Sequence, residues 1–132
     1  MTTFVDTSAF MTVVDLDELN HGRARRIWEE LVAGEEVLVC TNYVVVETVA
    51  LLQRRIGMLA VKTFTDDILP LIVIEWVDER LHGTGATALL IANRRQLSLV
   101  DCVSFEIMRR LGIRSVFTFD SHFREQGFDC LQ

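Results

Sequence analysis

The sequence predicts an α/β fold with a parallel sheet and right-handed crossovers. Three observations carry that prediction. Short apolar runs at residues 2–5, 37–39, 71–74 and 116–120 read as buried strands, and they alternate with stretches of helical periodicity. The chain has 132 residues, half of them hydrophobic and 24% charged, which is enough for one core of ordinary size. The first and fourth of these strands run into an aspartate, Asp6 and Asp120. In a parallel sheet the carboxyl ends of the strands are where ligands bind.

Taken in order, residues 2–5 form the first strand and residues 8–14 a short helix that Thr7 or Ser8 caps. Asp6 also has a plain structural reading here, as the cap itself. Residues 15–20 are polar and loop-like. A helix follows over residues 21–33, with Ala24, Ile27, Trp28 and Leu31 at helical spacing and Gly34 at its end. Val37, Leu38 and Val39 make the second strand. Thr41 or Asn42 caps a third helix that runs to Arg55, with Val45, Val49 and Leu52 in its apolar stripe. Gly57 breaks that helix, and residues 58–68 are helical again. After the third strand, residues 75–80 lead into a turn at Gly83 and Gly85. Residues 84–95 form a helix with Ala88, Ile91 and Ala92 inward. Ser98 caps the next helix, which carries Val100, Val103, Ile107 and Leu111 and closes at Gly112. Ser121, His122 and Phe123 begin a last short helix. Residues 128–131 make an edge strand.

The whole chain reads as one domain over residues 1–132, with no Pro- or Gly-rich linker and a single proline. No apolar run is long enough to span a bilayer, and the N-terminus lacks the pattern of a secretory signal. Cys40, Cys102 and Cys130 are odd in number and widely spaced. That pattern points to buried thiols in a reducing cytoplasm rather than to disulfides or a zinc site. A net charge of −6 argues against a protein that coats nucleic acid. Yet twelve of the thirteen basic residues are Arg, many in clusters such as Arg23, Arg25, Arg26 and Arg54, Arg55. Arginine suits phosphate contacts, although such clusters also serve as solvated helix faces.

Four carboxylates stand in unusual places. Asp6 and Asp120 end strands, while Glu47 and Asp101 lie in otherwise apolar helix segments. Each alone has an ordinary reading as a cap, a rim residue or a group that stabilises a helix dipole. Together, converging without a counter-ion, they would repel strongly. A hard divalent cation, Mg²⁺ or Mn²⁺, resolves the conflict, because it prefers carboxylate oxygen and keeps several waters. Such a site suits hydrolysis of a phosphodiester. Ser104 shares a helix face with Asp101. His122 beside Phe123 reads as a surface or supporting group more than as a ligand.

The motifs Val5-Asp6-Thr7-Ser8, Asn42-Tyr43-Val44-Val45-Val46-Glu47-Thr48, Leu97-Ser98-Leu99-Val100-Asp101-Cys102-Val103-Ser104 and Thr118-Phe119-Asp120-Ser121-His122-Phe123 are weak singly and strong in this order. With them the chain resembles the PIN domain, and more narrowly the VapC-type toxin ribonucleases, from end to end. The resemblance implies a three-layer α/β/α fold with a central parallel sheet of four to five strands flanked by helices. It implies a Mg²⁺- or Mn²⁺-dependent endoribonuclease of a type II toxin–antitoxin pair, a homodimer bound by an antitoxin. The antitoxin would sit on the apolar surface near Trp28 and the third helix. Asp6, Glu47 and Asp101 match the family's core acids and Asp120 the fourth. Thr7, Ser8 and Thr118 match hydroxyls that would orient an acid or a water. Where some members carry a further acid, this chain has Ser121 and His122, which leaves open one metal ion or two. The rival from another class is a catalytically silent PIN-like module that binds RNA or protein. A phosphoacceptor receiver domain fits worse, since it pairs two acids after its first strand and needs a late lysine, whereas the only lysine here is Lys62.

Overall fold

The computed structural model describes residues 1–132. Its five strands are β1 (Thr2–Val5), β2 (Val37–Thr41), β3 (Val73–Glu75), β4 (Ser115–Phe117) and β5 (Asp129–Leu131). They form one sheet in the order β3-β2-β1-β4-β5, with every neighbouring pair parallel. The helices are α1 (Thr7–Val14), α2 (His21–Ala33), α3 (Asn42–Arg55), α4 (Met58–Thr63), α5 (Glu79–Ala92), α6 (Leu99–Leu111) and α7 (Ser121–Glu125). Between α4 and β3 the chain passes through a π-helical turn, Phe64–Ile68, and a 3-10 turn, Leu69–Leu71. The predicted α/β architecture is the observed one. No helix is long and apolar enough to cross a membrane.

The strand order places the site. The chain lays down β1, moves outward through β2 to β3, then returns to put β4 on the other side of β1. Strand order therefore reverses beside β1, and the crevice at that reversal is where open α/β sheets bind ligands. Phe4 pairs in register with Val39 on one side and Val116 on the other. Phe4, Val5, Val116 and Phe117 are wholly buried, as expected of central parallel strands covered on both faces. Around them, Phe10 of α1 meets Phe64 edge-on at 5.0 Å, and Phe105 of α6 meets Phe123 of α7 at 4.9 Å. Helix α6 is buried on most sides, with Cys102, Val103, Phe105, Ile107 and Met108 all in the core.

Several local expectations are corrected. Gly83 and Gly85 do not make a turn; both lie inside α5, which starts at Glu79 behind an Asp78 cap. The reason is packing. A Cβ on Gly85 would come within 2.5 Å of Val103 Cγ2, so the absent side chain lets α5 and α6 approach. Ala88, Ile91 and Ala92 are exposed rather than inward, and the buried face of α5 is Leu81 and Gly85. In α3 the buried row is Val44, Thr48 and Leu52, with Val45 and Val49 only half-buried beside it. Leu111 is exposed at the end of α6. Helix α1 is capped by Asp6, not by Thr7 or Ser8. Gly34 does end α2, but in extended backbone rather than in the left-handed region. The third strand is shorter and later than expected, starting at Val73. Cys40 and Cys102 are buried, and burial pushes the Cys40 thiol up to about 12, which leaves it unreactive.

Candidate metal centre

Asp6, Glu47, Asp101 and Asp120, drawn from segments spread over the whole chain, line one cavity of about 380 Å³. Each arrives by a different local device. Asp6 follows β1 and caps α1 in extended backbone, its side chain accepting from Ser8 N. Asp101 is held by a capping box: Ser98 Oγ accepts from Asp101 N, and Asp101 Oδ2 accepts from Ser98 N at 3.1 Å. Asp120 caps α7, accepting from His122 N at 2.9 Å. Glu47 projects from the second turn of α3, whose start is capped by Thr41.

The ends of β1 and β4 are tied together by hydroxyl groups. Ser8 Oγ donates to Asp6 Oδ2 at 2.8 Å, and Thr118 Oγ1 donates to the same oxygen at 3.1 Å. Each hydroxyl has one proton, so with Asp6 ionised both protons go to Oδ2. The 3.1 Å approach of Ser8 Oγ to Thr118 Oγ1 is then a contact rather than a bond. The two oxygens accept in turn from the backbone, Ser8 Oγ from Phe119 N and Thr118 Oγ1 from Asp120 N, both at 2.9 Å. This explains why β4 stops at Phe117, three residues before Asp120: side-chain oxygens take over the amides that a longer strand would pair.

The electrostatics are those of an uncompensated acid cluster. The ion pairs made by Lys and Arg, such as Arg94 with Glu125 and Arg110 with Glu106, leave out all four acids. Asp6 is 3% exposed and Asp101 7%. Burial, with Asp101 and Asp120 nearby, pushes the Asp6 carboxyl up to about 7 against the pull of Ser8. Burial also raises Asp101, helped by Asp120 and opposed by the Ser98 bonds and by His122. Glu47 is raised for the same first reason and by Asp101 and Asp120. The Thr7 hydroxyl lies near enough to counter part of that rise. It does so without a formed hydrogen bond, since Thr7 Oγ1 is buried and has no partner.

These features fit a hard divalent cation. All three of Asp6's bonds fall on Oδ2, Asp101 commits only Oδ2 and Asp120 only Oδ1, and Glu47 commits neither oxygen. Each acid therefore keeps a free carboxylate oxygen in a shared cavity, which is the oxygen-rich donor set such ions take. Of the supporting hydroxyls, Thr7, Ser8 and Thr118 are at the site. Ser104 is not brought there; its hydroxyl donates to Val100 O one turn back and it does not line the cavity.

Three neighbours were not anticipated. Glu18 and Asn20, from the 15–20 loop, reach the cavity rim. Arg55 is the one basic residue in the lining, and helical spacing contained the signal: Glu47, Leu51 and Arg55 fall at i, i+4 and i+8 and all three line the cavity. Several other clustered arginines are engaged elsewhere, Arg94 with Glu125, Arg109 with Gln126 and the face of Phe128, and Arg110 with Glu106. His122, read from the sequence as a surface or supporting group, lies at the edge of the cluster. Its ring turns inward, with Nδ1 3.0 Å from Asp120 Oδ1 and 3.7 Å from Asp101 Oδ2.

Comparison with known proteins agrees with this fold. The PIN domain family matches residues 3–129. The 23S rRNA-specific endonuclease VapC20 of Mycobacterium tuberculosis is 32% identical over 126 residues, covering 95% of this chain and 94% of that protein. The crystal structure of Mycobacterium tuberculosis VapC20, described as a sarcin-ricin loop cleaving toxin, superposes with a TM-score of 0.85 at 31% identity, over 97% of this chain and 96% of the other. FitAcB from Neisseria gonorrhoeae shares the fold, with a TM-score of 0.69 at 14% identity over 100% of this chain and 97% of that one.

Proposed function

The chain belongs to the PIN-domain family, and from that premise we propose that it is a Mg²⁺- or Mn²⁺-dependent endoribonuclease, the toxin of a type II toxin–antitoxin pair. The observation that carries the proposal is the convergence of four acids, each with a free oxygen and none with a Lys or Arg partner, at the reversal of strand order. The 132 residues act as one nuclease unit in the cytoplasm. The 23S rRNA activity named for the Mycobacterium relative makes ribosomal RNA the first substrate to test.

Asp6, Asp101 and Glu47 would hold the ion, and Asp120 would complete the set or orient the attacking water. When bound, a divalent ion supplies a water of lowered pKa and positive charge beside the phosphoryl oxygens. Ser8 and Thr118 fix Asp6 by directing both of their protons to Oδ2, which leaves Oδ1 free of hydrogen bonds. Arg55 stands at the rim as the cation that takes an RNA phosphate, positioning the backbone without reading its sequence. The antitoxin would use the groove of about 490 Å³ lined by Val13, Val14, Leu16 and Trp28, away from the acids. The working form is a homodimer.

The test is thermal unfolding with and without Mn²⁺, together with cleavage of ribosomal RNA, on wild type and Asp101→Asn. An ion bound only by the folded chain raises its Tm by mass action. Wild type should gain stability with Mn²⁺ and cut RNA, and Asp101→Asn should do neither. A wild type whose Tm ignores Mn²⁺ and Mg²⁺ would sink the proposal.

A further inference from the structure

His122 holds a nitrogen at the edge of this oxygen-rich cluster, and nothing above uses it. Its side chain is 14% exposed, and Nδ1 is fully buried. Nδ1 lies 3.0 Å from Asp120 Oδ1 and 3.7 Å from Asp101 Oδ2, yet forms a hydrogen bond to neither. A buried ring nitrogen left without a bond beside two carboxylates is costly unless something else takes its lone pair. The donor atoms of Asp101, Asp120 and His122 all lie within 4.8 Å of one another. Two neighbouring ligands at about 2.1 Å from an octahedral ion stand about 3.0 Å apart, which is the separation of His122 from Asp120. A second buried group points the same way: Thr7, 4% exposed, lines the cavity with Oγ1 unbonded. The site thus carries unspent polar groups from both α1 and α7.

We propose that His122 Nδ1 is a metal ligand, forming with Asp101 and Asp120 a mixed nitrogen–oxygen subsite that prefers Mn²⁺ over Mg²⁺. The proposal rests on the metal-dependent reading above. Mg²⁺ takes oxygen ligands almost exclusively, while imidazole strengthens binding of first-row transition ions. The acids alone would leave both ions eligible. The imidazole tilts the choice. The position is also structurally favoured: His122 follows the Asp120 cap by two residues, and its backbone N–H is already spent on Asp120 Oδ1, so cap and ring are held together.

The direct measurement is pulsed EPR of Mn²⁺ bound to the wild-type protein, which detects the hyperfine coupling of a directly ligated ¹⁴N. Calorimetric titration of Mn²⁺ and Mg²⁺ into wild type and His122→Gln accompanies it. A histidine nitrogen coupling in wild type, absent in His122→Gln, with the Mn²⁺ over Mg²⁺ preference falling about tenfold, is the expected result. Bound Mn²⁺ with no nitrogen coupling would overturn the inference and leave the metal-dependent reading intact. No binding of either ion to wild type would overturn both. Because the EPR measurement needs only the wild-type chain, a variant that misfolds does not rescue the proposal.

Discussion

Two sides of the cavity hold their acids in opposite ways. On the β1–β4 side, Asp6 is pinned by Ser8 and Thr118, and Asp101 and Asp120 are locked into caps. On the α3 side, Glu47 reaches in with no hydrogen bond at all. The first side spends hydrogen bonds to hold carboxylates where burial disfavours their charge. The second holds its carboxylate on a long side chain, half-buried, free to adjust. On the proposed reading, the pinned acids would set the geometry and Glu47 would adapt to whatever enters.

The most severe way to break this arrangement is to neutralise a pinned acid. Asp6→Asn keeps the shape and the acceptor for Ser8 and Thr118 but removes the charge. RNA cleavage should fall on the order of 10²–10³-fold, with the near-UV circular dichroism of the fold preserved. Cleavage at the wild-type rate would remove Asp6 from the site. Glu47→Gln tests the flexible side. Its loss should appear as metal affinity weaker by about 10–100-fold, with cleavage largely restored at high Mn²⁺. If saturating Mn²⁺ restored nothing, Glu47 would be as geometric as Asp6 and the contrast would collapse.

The pinned side also predicts a pH dependence of the metal-free protein. In the folded chain Asp6 rises from its ordinary value near 3.8 to about 7, and Glu47 and Asp101 move in the same direction. The folded state then holds protons that the unfolded state has released, so stability falls as pH rises from about 4 to about 7 and levels off above that. For Asp6 alone the loss is at most about 4 kcal/mol. Melting curves at pH 5 and pH 8 without metal should differ accordingly, and Asp6→Asn should flatten the difference. A wild type equally stable at both values would show that burial does not strain the cluster. The smallest effect belongs to Thr118→Val, which keeps the volume but removes one donor to Asp6 and the acceptor for Asp120 N. About 1–2 kcal/mol of stability should be lost in urea unfolding, with a smaller cleavage defect than that of Asp6→Asn.

The same contrast explains what the sequence made legible. A carboxylate that ends an apolar strand or interrupts an apolar helix is conspicuous, so all four acids could be named, as could the Ser98 cap and most helix limits. What escaped was set by distant partners. Gly85 looks like turn chemistry until Val103 is seen against it. The apolar run carried β4 through to Asp120, because nothing local reveals that the Ser8 and Thr118 hydroxyls claim those amides. His122 looked ordinary because its significance lies in the direction its ring takes. Of the Arg clusters, four members hold surface partners, and the one that lines the cavity, Arg55, was legible only relative to Glu47.

The bond from Thr118 to Asp6 spans 112 positions of sequence. Every side of the cavity must be present before any of it is finished, because its acids are drawn from Asp6 at one end of that span to Asp120 just past the other. A growing chain therefore has no complete centre until Asp120 has been made and β4 has docked beside β1. The parallel topology thus makes assembly of the acids an all-or-none event: no fragment lacking either β1 or β4 can bring Asp6 and Asp120 into one cavity.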